Sequence, residues 1–444
     1  MKGRLAILLQ LLALSSACTM APKYARPQLP VPDAWPEASS AQPGGAETTG
    51  PAALPWKRYF TDPHLQSVIE LALVNNRDLR TAALNVDRAR ALYGIQRSEL
   101  FPNRGVVAQG EKYRLPERMT ATGTSEIVEQ YSVNAGVSAW ELDLFGRVRS
   151  LRRRALHQYF ATDQARAAAQ LSLVAAVAQS YLSLAADREG LHLAQATLEA
   201  QSESFDLIRQ SREMGMASDL ELEQARSQVE ASRADTARFE GLVALDRNAL
   251  DLLVGRPVPE ALLPDDLSAV VDLEELPAGL PSEVLLLRPD ILASEYQLKA
   301  ANANIGAARA AFFPRITLTG AIGTLSPELS GLFESGTRTW SFTPQVTAPL
   351  FTGGQRLANL RLSKVDKNIA VAQYEKSIQT AFREVADALA LRTTLREQES
   401  AQQSLAQALQ VTYQLSEARY KEGLDGYLGV LVAQRASYGA QQAL

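Results

Sequence analysis

The chain has little of what most enzymes need. Its 444 residues include one cysteine and three histidines. A lone cysteine, Cys18, rules out an internal disulfide, and its place in the export signal described below removes it as a nucleophile. His64, His157 and His192 are scattered without HExxH or other ligand spacing, and no phosphate-binding glycine loop occurs. No metal or organic cofactor and no catalytic residue is therefore expected. Asp and Glu are plentiful, but on long helices carboxylates ordinarily form a solvated face. A net charge of −4 without a basic patch argues against a nucleic-acid partner. The apolar run at 5–14 is shorter than the about 20 residues that a membrane-spanning helix needs. What remains, 46% hydrophobic and 21% charged, is a folding chain with room for two or three domains or one duplicated body.

Lys2 and Arg4 precede that apolar run and small residues close it at Ala17-Cys18, the pattern of an export signal over 1–17. A cysteine directly after such a site resembles a bacterial lipoprotein signal, which implies acylation of Cys18. By the same resemblance Thr19, in place of aspartate, implies the outer membrane. Leu14 stands four positions before the cysteine where three is commoner, and an ordinary secretory signal with an incidental cysteine is the alternative. Residues 18–61 are rich in Pro, Ser, Gly and Ala and read as an extended tether, with Trp56 and Tyr59-Phe60 docking its end.

Beyond the tether one event happens twice. A long alanine-rich helical pattern stops at Phe101-Pro102, and another stops at Phe313-Pro314. Residues before proline are pushed out of the α region, so both are helix-to-strand switches. Each is followed by two candidate strands, then a leucine-phenylalanine turn (Leu144-Phe145-Gly146; Leu350-Phe351-Thr352-Gly353), then another long helical pattern. The offsets are 212 at the prolines, 206 at the phenylalanines and 208 between Gly215 and Gly423. An internal duplication of roughly 210 residues follows, far beyond solenoid periods. It divides the chain into a first repeat over 62–255 with a hairpin near 103–143, an irregular segment over 256–282, and a second repeat over 283–444 with a hairpin near 315–350.

Tyr131, Val133, Ala135 and Val137 alternate with polar or small residues, and Trp340, Phe342 and Val346 do the same. One apolar and one polar face over roughly 10 residues suits a lipid-exposed barrel strand, and equally a half-buried strand of a soluble sheet. Pro344 is expected to break pairing locally. Four strands cannot span a membrane alone, because an open sheet leaves two unpaired edges in hydrocarbon; in a membrane they must close with copies from other chains. Asp62 caps a helix with Pro63 at its first position, expected over 63–100. Uninterrupted helical patterns cover 147–212 and 355–422, each about 100 Å long at 1.5 Å per residue. Ser218 and Glu221 form a capping box for a helix over 219–254, and another is expected over about 283–312. These two together match the long helix, against which they can lie end to end. A coiled-coil rod without a pore shares the helical periodicity.

Taken together, Ala17-Cys18, the two Phe-Pro switches, the two leucine-phenylalanine turns and the two glycine-marked tips resemble the TolC-like outer membrane factor family, in its lipoprotein branch. The resemblance implies a mainly α chain with a membrane β-barrel: a homotrimer closing a 12-stranded barrel, continued by a long α-helical barrel into the periplasm, with 256–282 as an equatorial belt. It implies an exit duct for small molecules that is driven by an inner-membrane transporter through a periplasmic adaptor. A type I protein-secretion duct and a pore-less structural lipoprotein are the alternatives. Gly215, Met216, Gly423 and Leu424 match the tips that touch the adaptor. Near the second tip the family often places an aspartate three residues before an arginine; here Arg435 matches, but Val432 stands for the aspartate, while Glu223 and Arg226 hold the equivalent places in the first repeat. The gate is then expected from Asp425 or Asp219, or from apolar contact through Leu428 and Leu431 beside Arg435. Past Arg226 the first repeat runs 29 residues to Gly255, whereas nine follow Arg435, so a shorter last helix and weaker trimers are expected.

Overall fold

The computed structural model describes residues 19–33, 35, 55–121, 123–267, 270 and 282–444. The signal 1–17, Cys18, residues 34 and 36–54 of the tether, and residues 268–269 and 271–281 of the belt lie outside the described residues. After a single turn at Trp56–Tyr59, the main elements are α1 (Pro63–Asn75), α2 (Arg77–Ser98), β1 (Arg104–Leu115), β2 (Glu126–Glu141), α3 (Arg147–Glu213), α4 (Asp219–Val254), α5 (Pro289–Ala310), β3 (Arg315–Ser326), β4 (Arg338–Thr347), α6 (Gln355–Lys421) and α7 (Tyr427–Ala443). They form two compact units, one of 83–165 and 289–377 with the N-terminal residues as far as 29, the other of 30–82, 166–288 and 378–444. The helices α3 and α6, 67 residues each, contribute to both.

In the first unit the strands form one antiparallel sheet in the order β1-β2-β3-β4, so among the described residues β1 and β4 are open edges within a single chain. Val106 pairs with Ala135, Ala135 with Ile322 and Ile322 with Trp340. Residues two apart share a face, so this row places an apolar residue from each of the four strands on one side. Val107, Asn134, Gly323 and Thr339 form a row on the other, polar or small except in β1. The expected break at Pro344 is absent: Pro344 pairs with Leu318 in an unbroken register. Within one chain β4 pairs only with β3, and a proline is tolerated there where its missing N–H faces away from β3. The irregularity lies instead in β2, where the register slips between Val137 and Trp140 and Ala139 takes a φ of 49°. The Ala139 amide is satisfied by Thr319 Oγ1 at 3.0 Å.

The second unit is organised by α1. Leu65, Val68, Ile69 and Ala72, one helical stripe, are buried against Val174, Val177, Tyr181 and Leu184 of α3 and Leu250 and Val254 of α4. Each large side chain removed from water this way contributes about 1.5–3 kcal/mol. Asp62 caps α1 as expected, accepting from the His64 and Leu65 amides at 2.7 and 3.3 Å. The single helix expected over 63–100 is two helices. Asn76 ends the first and starts the second: its Oδ1 accepts from Leu79 N–H at 2.7 Å and its Nδ2 donates to the Leu253 carbonyl at 2.8 Å. Likewise the helix expected from 283 begins at Pro289, after a 3-10 segment at Ser282–Leu287. Proline at the first helical position gives up an amide that would be unpaired anyway. The capping box at Ser218 and Glu221 is present. The described part of the belt is tied down by Glu260, which pairs with Arg188 of α3 and, at 2.6 Å, with Arg247 of α4.

Candidate functional site at the helical tips

Both long helices end in the same geometry. At the first tip the Met216 amide donates to the Ser211 carbonyl (2.8 Å) and the Gly215 amide to Arg212 (2.9 Å). At the second, Leu424 donates to Arg419 and Gly423 to Tyr420, both at 2.9 Å. These are Schellman caps, and they require the positive φ of 77° at Gly215 and 74° at Gly423. Met216 and Leu424 stand beyond them, 70% and 66% exposed, so each tip presents an unpartnered apolar side chain. An ion pair crosses each turn: Arg212 to Asp219 at 2.8 Å, and Arg419 to Asp425 at 2.5 Å. The Arg419 guanidinium holds the Asp425 carboxyl below its ordinary range. Both aspartates expected at the gate are thus engaged in closing their own turns. Neither pairing is expected from the sequence: an arginine before and an aspartate after each tip glycine are there to be read, but at different spacings in the two repeats.

Above the second tip, Tyr427, Val430 and Leu431 of α7 pack on Ile208 of α3 and Ala225 of α4. Burial pushes the Tyr427 phenol up to about 12. Leu431 is therefore mostly core, 7% exposed, whereas Leu428 is 60% exposed. Leu428, Leu431, Val432 and Arg435 line one side of a groove of about 460 Å³, and Gln224, Ser227 and Gln228 of α4 line the other. Periodicity could not reveal that amide-bearing wall, because polar residues on a helix read as a solvated face. Glu223 and Arg226, the first-repeat counterparts, pair with each other at 3.8 Å.

The other polar cluster is at the N-terminal segment. Met20 and Pro22 carbonyls accept from Arg309 and Asn302 of α5 at 3.1 and 2.8 Å. Glu295, 3% exposed, accepts from Tyr24 (3.0 Å), from Arg26 through two nitrogens (3.0 and 2.9 Å) and from Lys299 (3.1 Å). Burial alone would raise its pKa, but the hydrogen bonds from Arg26, Lys299 and Tyr24 outweigh it and hold the carboxyl low. The segment lacks regular structure, as expected, yet is clamped along one face of α5. Cys18 itself lies outside the described residues. His157, half-buried and stacked on Tyr296 at 6.1 Å, has its pKa lowered by desolvation and by Lys299 and Arg153. Among the described residues no cluster of His, Cys, Asp and Glu is arranged to hold a metal.

Comparison with known proteins places this geometry. The chain is 49% identical over 428 residues to the probable efflux pump outer membrane protein TtgC of Pseudomonas putida, covering 96% of this chain and 88% of that one. It is 46% identical to the solvent efflux pump outer membrane protein SrpC of the same species, covering 98% and 92%. The open-state crystal structure of the MtrE outer membrane channel of Neisseria gonorrhoeae superposes with a TM-score of 0.84 at 40% identity, covering 96% of this chain and 94% of that one. The family model described as outer membrane efflux protein matches residues 68–256 and 280–444, and the chain belongs to that family of TolC-like outer membrane channels.

Proposed function

We propose that the protein is the outer-membrane exit duct of a tripartite efflux assembly, passing small apolar or amphiphilic molecules to the exterior without catalysis. The observation that carries the reading is the sheet: one face carries an apolar residue from each of its four strands, and among the described residues both its edges, β1 and β4, are unpaired in a single chain. Unpaired backbone in hydrocarbon costs several kcal/mol per group, so copies must join edge to edge; three give a closed 12-stranded barrel. The polar rows then line the lumen. Relatives named for solvent and efflux pumps support the substrate class. Energy would come from an inner-membrane transporter, coupled by a periplasmic adaptor that grips the apolar tips at Gly215-Met216 and Gly423-Leu424. Acylation of Cys18 would add a lipid anchor. The gate we assign to Leu428 and Arg435, with Asp219 and Asp425 acting through their arginine clamps and Leu431 as support.

Planar-bilayer recording together with native mass spectrometry of detergent-purified protein tests the duct: a trimer with steady conductance is expected, and a non-conducting monomer overturns it. Leu428→Ser and Arg435→Ala should each raise conductance; unchanged traces in both would remove the gate from this groove.

A further inference from the structure

The duplication provides a template for the neighbouring copy. Helices α2 and α5 are equivalent under the offset of 212 and have 22 residues each, yet eleven residues of α5 are buried and only Val86 of α2. Part of α5 lies under the N-terminal segment, and much of the rest lies under α3. Phe313 stacks on Phe145 with ring centroids 4.7 Å apart, Arg154 donates to Asn304 at 3.2 Å, and His157 stacks on Tyr296. Gly306 approaches so closely that a Cβ there would lie 2.6 Å from Ser150 Oγ.

These contacts can be carried across the duplication. The offsets are 206 from Phe145 to Phe351, 208 from the start of α3 to that of α6, and 212 from α2 to α5. The three intrachain pairs then map onto Phe351 with Phe101, Leu362 with Leu92, and Val365 with Leu84. All six are exposed within one chain, at 89%, 61%, 58%, 52%, 52% and 59% in that order. Gly306 maps onto Gly94, where an added Cβ would meet nothing within 4 Å. Two pairs with polar members inside the chain have become wholly apolar pairs that the chain leaves in water. Removing such side chains from water is favourable, and complementary patches on opposite sides of one protomer generate a head-to-tail ring.

We infer that a second copy of this chain seats its α2 on α6 as α5 seats on α3, with Phe101 stacked on the partner's Phe351, Leu92 against Leu362, and Leu84 against Val365. The seam continues the junction of β4 with β1. It rests on the trimeric reading above and adds the residue register of the interface.

The test uses the full chain in membranes, with Phe101→Cys/Phe351→Cys and, independently, Leu92→Cys/Leu362→Cys, treated with dibromobimane, which fluoresces only when both arms have reacted. Each double variant should run as fluorescent covalent dimer and trimer on a denaturing gel. The four single variants should stay monomeric, which also reports any link through Cys18. Phe145→Cys/Phe313→Cys should fluoresce at monomer size, as the intrachain control. Should native mass spectrometry give a trimer while both interchain pairs stay unlinked and the control links, the inferred seam is wrong and the duct stands. A monomer by mass and by amine crosslinking removes both. If one pair fails to accumulate, the other decides.

Discussion

Glu295 shows how one side chain can hold an irregular segment in place. It lies under Tyr24, Arg26 and Lys299, and Lys299 also sits over the Tyr24 and Tyr296 rings at 5.2 and 4.8 Å. Hydrogen bonds to a charged group contribute about 1.5–3 kcal/mol, so Glu295→Ala should free residues 19–26, read as faster proteolysis there with α5 still protected. Because the folded carboxyl titrates below its unfolded range, the clamp is fully present above the unfolded pKa of about 4.3 and is lost as pH falls through the lower folded value. Hydrogen exchange of the segment should stay slow at pH 5 and quicken only in stronger acid. None of this was legible in the sequence: a buried glutamate in an alanine-rich helix looks the same as a solvated one until Tyr24 and Arg26, some 270 positions away, are in place.

At the scale of elements, caps and turns were readable because their chemistry is local. Asp62, the Ser218–Glu221 box and the tip glycines act on their immediate neighbours. Gly423→Ala places a Cβ on a residue with positive φ and should cost about 1 kcal/mol or more, seen as earlier thermal loss of the tip without loss of the barrel. The helix break at Asn76 was missed, because asparagine caps by side-chain bonds that include Leu253, far along the chain. Pro344 differs from expectation for a related reason: its effect depends on whether its missing N–H falls on the β3 side of β4, which pairing alone decides. The two faces of β4 predict opposite outcomes for one substitution. Phe342→Lys, on the apolar side, should cost about 2–4 kcal/mol if it lies near the membrane midplane, whereas Ser341→Lys on the other side should be tolerated. The yield of heat-resistant oligomer compares them.

For the whole molecule, assembly is built into what a single chain leaves open. Two sheet edges, the nearly bare α2 and the apolar stripe of α6 are unfinished within one copy. By contrast the belt-side core is complete: Leu250→Ala, at a site 1% exposed, should lower stability by about 2–5 kcal/mol, measured as a fall in Tm of the purified protein.

The duplication, the helix-to-strand switches at Phe101-Pro102 and Phe313-Pro314, the lengths of α3 and α6 and the resemblance to the family can all be read from the linear chain. These rest on backbone preferences and periodicity, which act over a few residues and survive in a linear reading. That Asp219 and Asp425 clamp their tips, that Leu431 is mostly core while Leu428 is exposed, and that Glu295 grips the N-terminal segment emerges from the folded chain alone. Each depends on which distant side chain arrives beside it, and a charge or a leucine on a helix carries no mark of that neighbour.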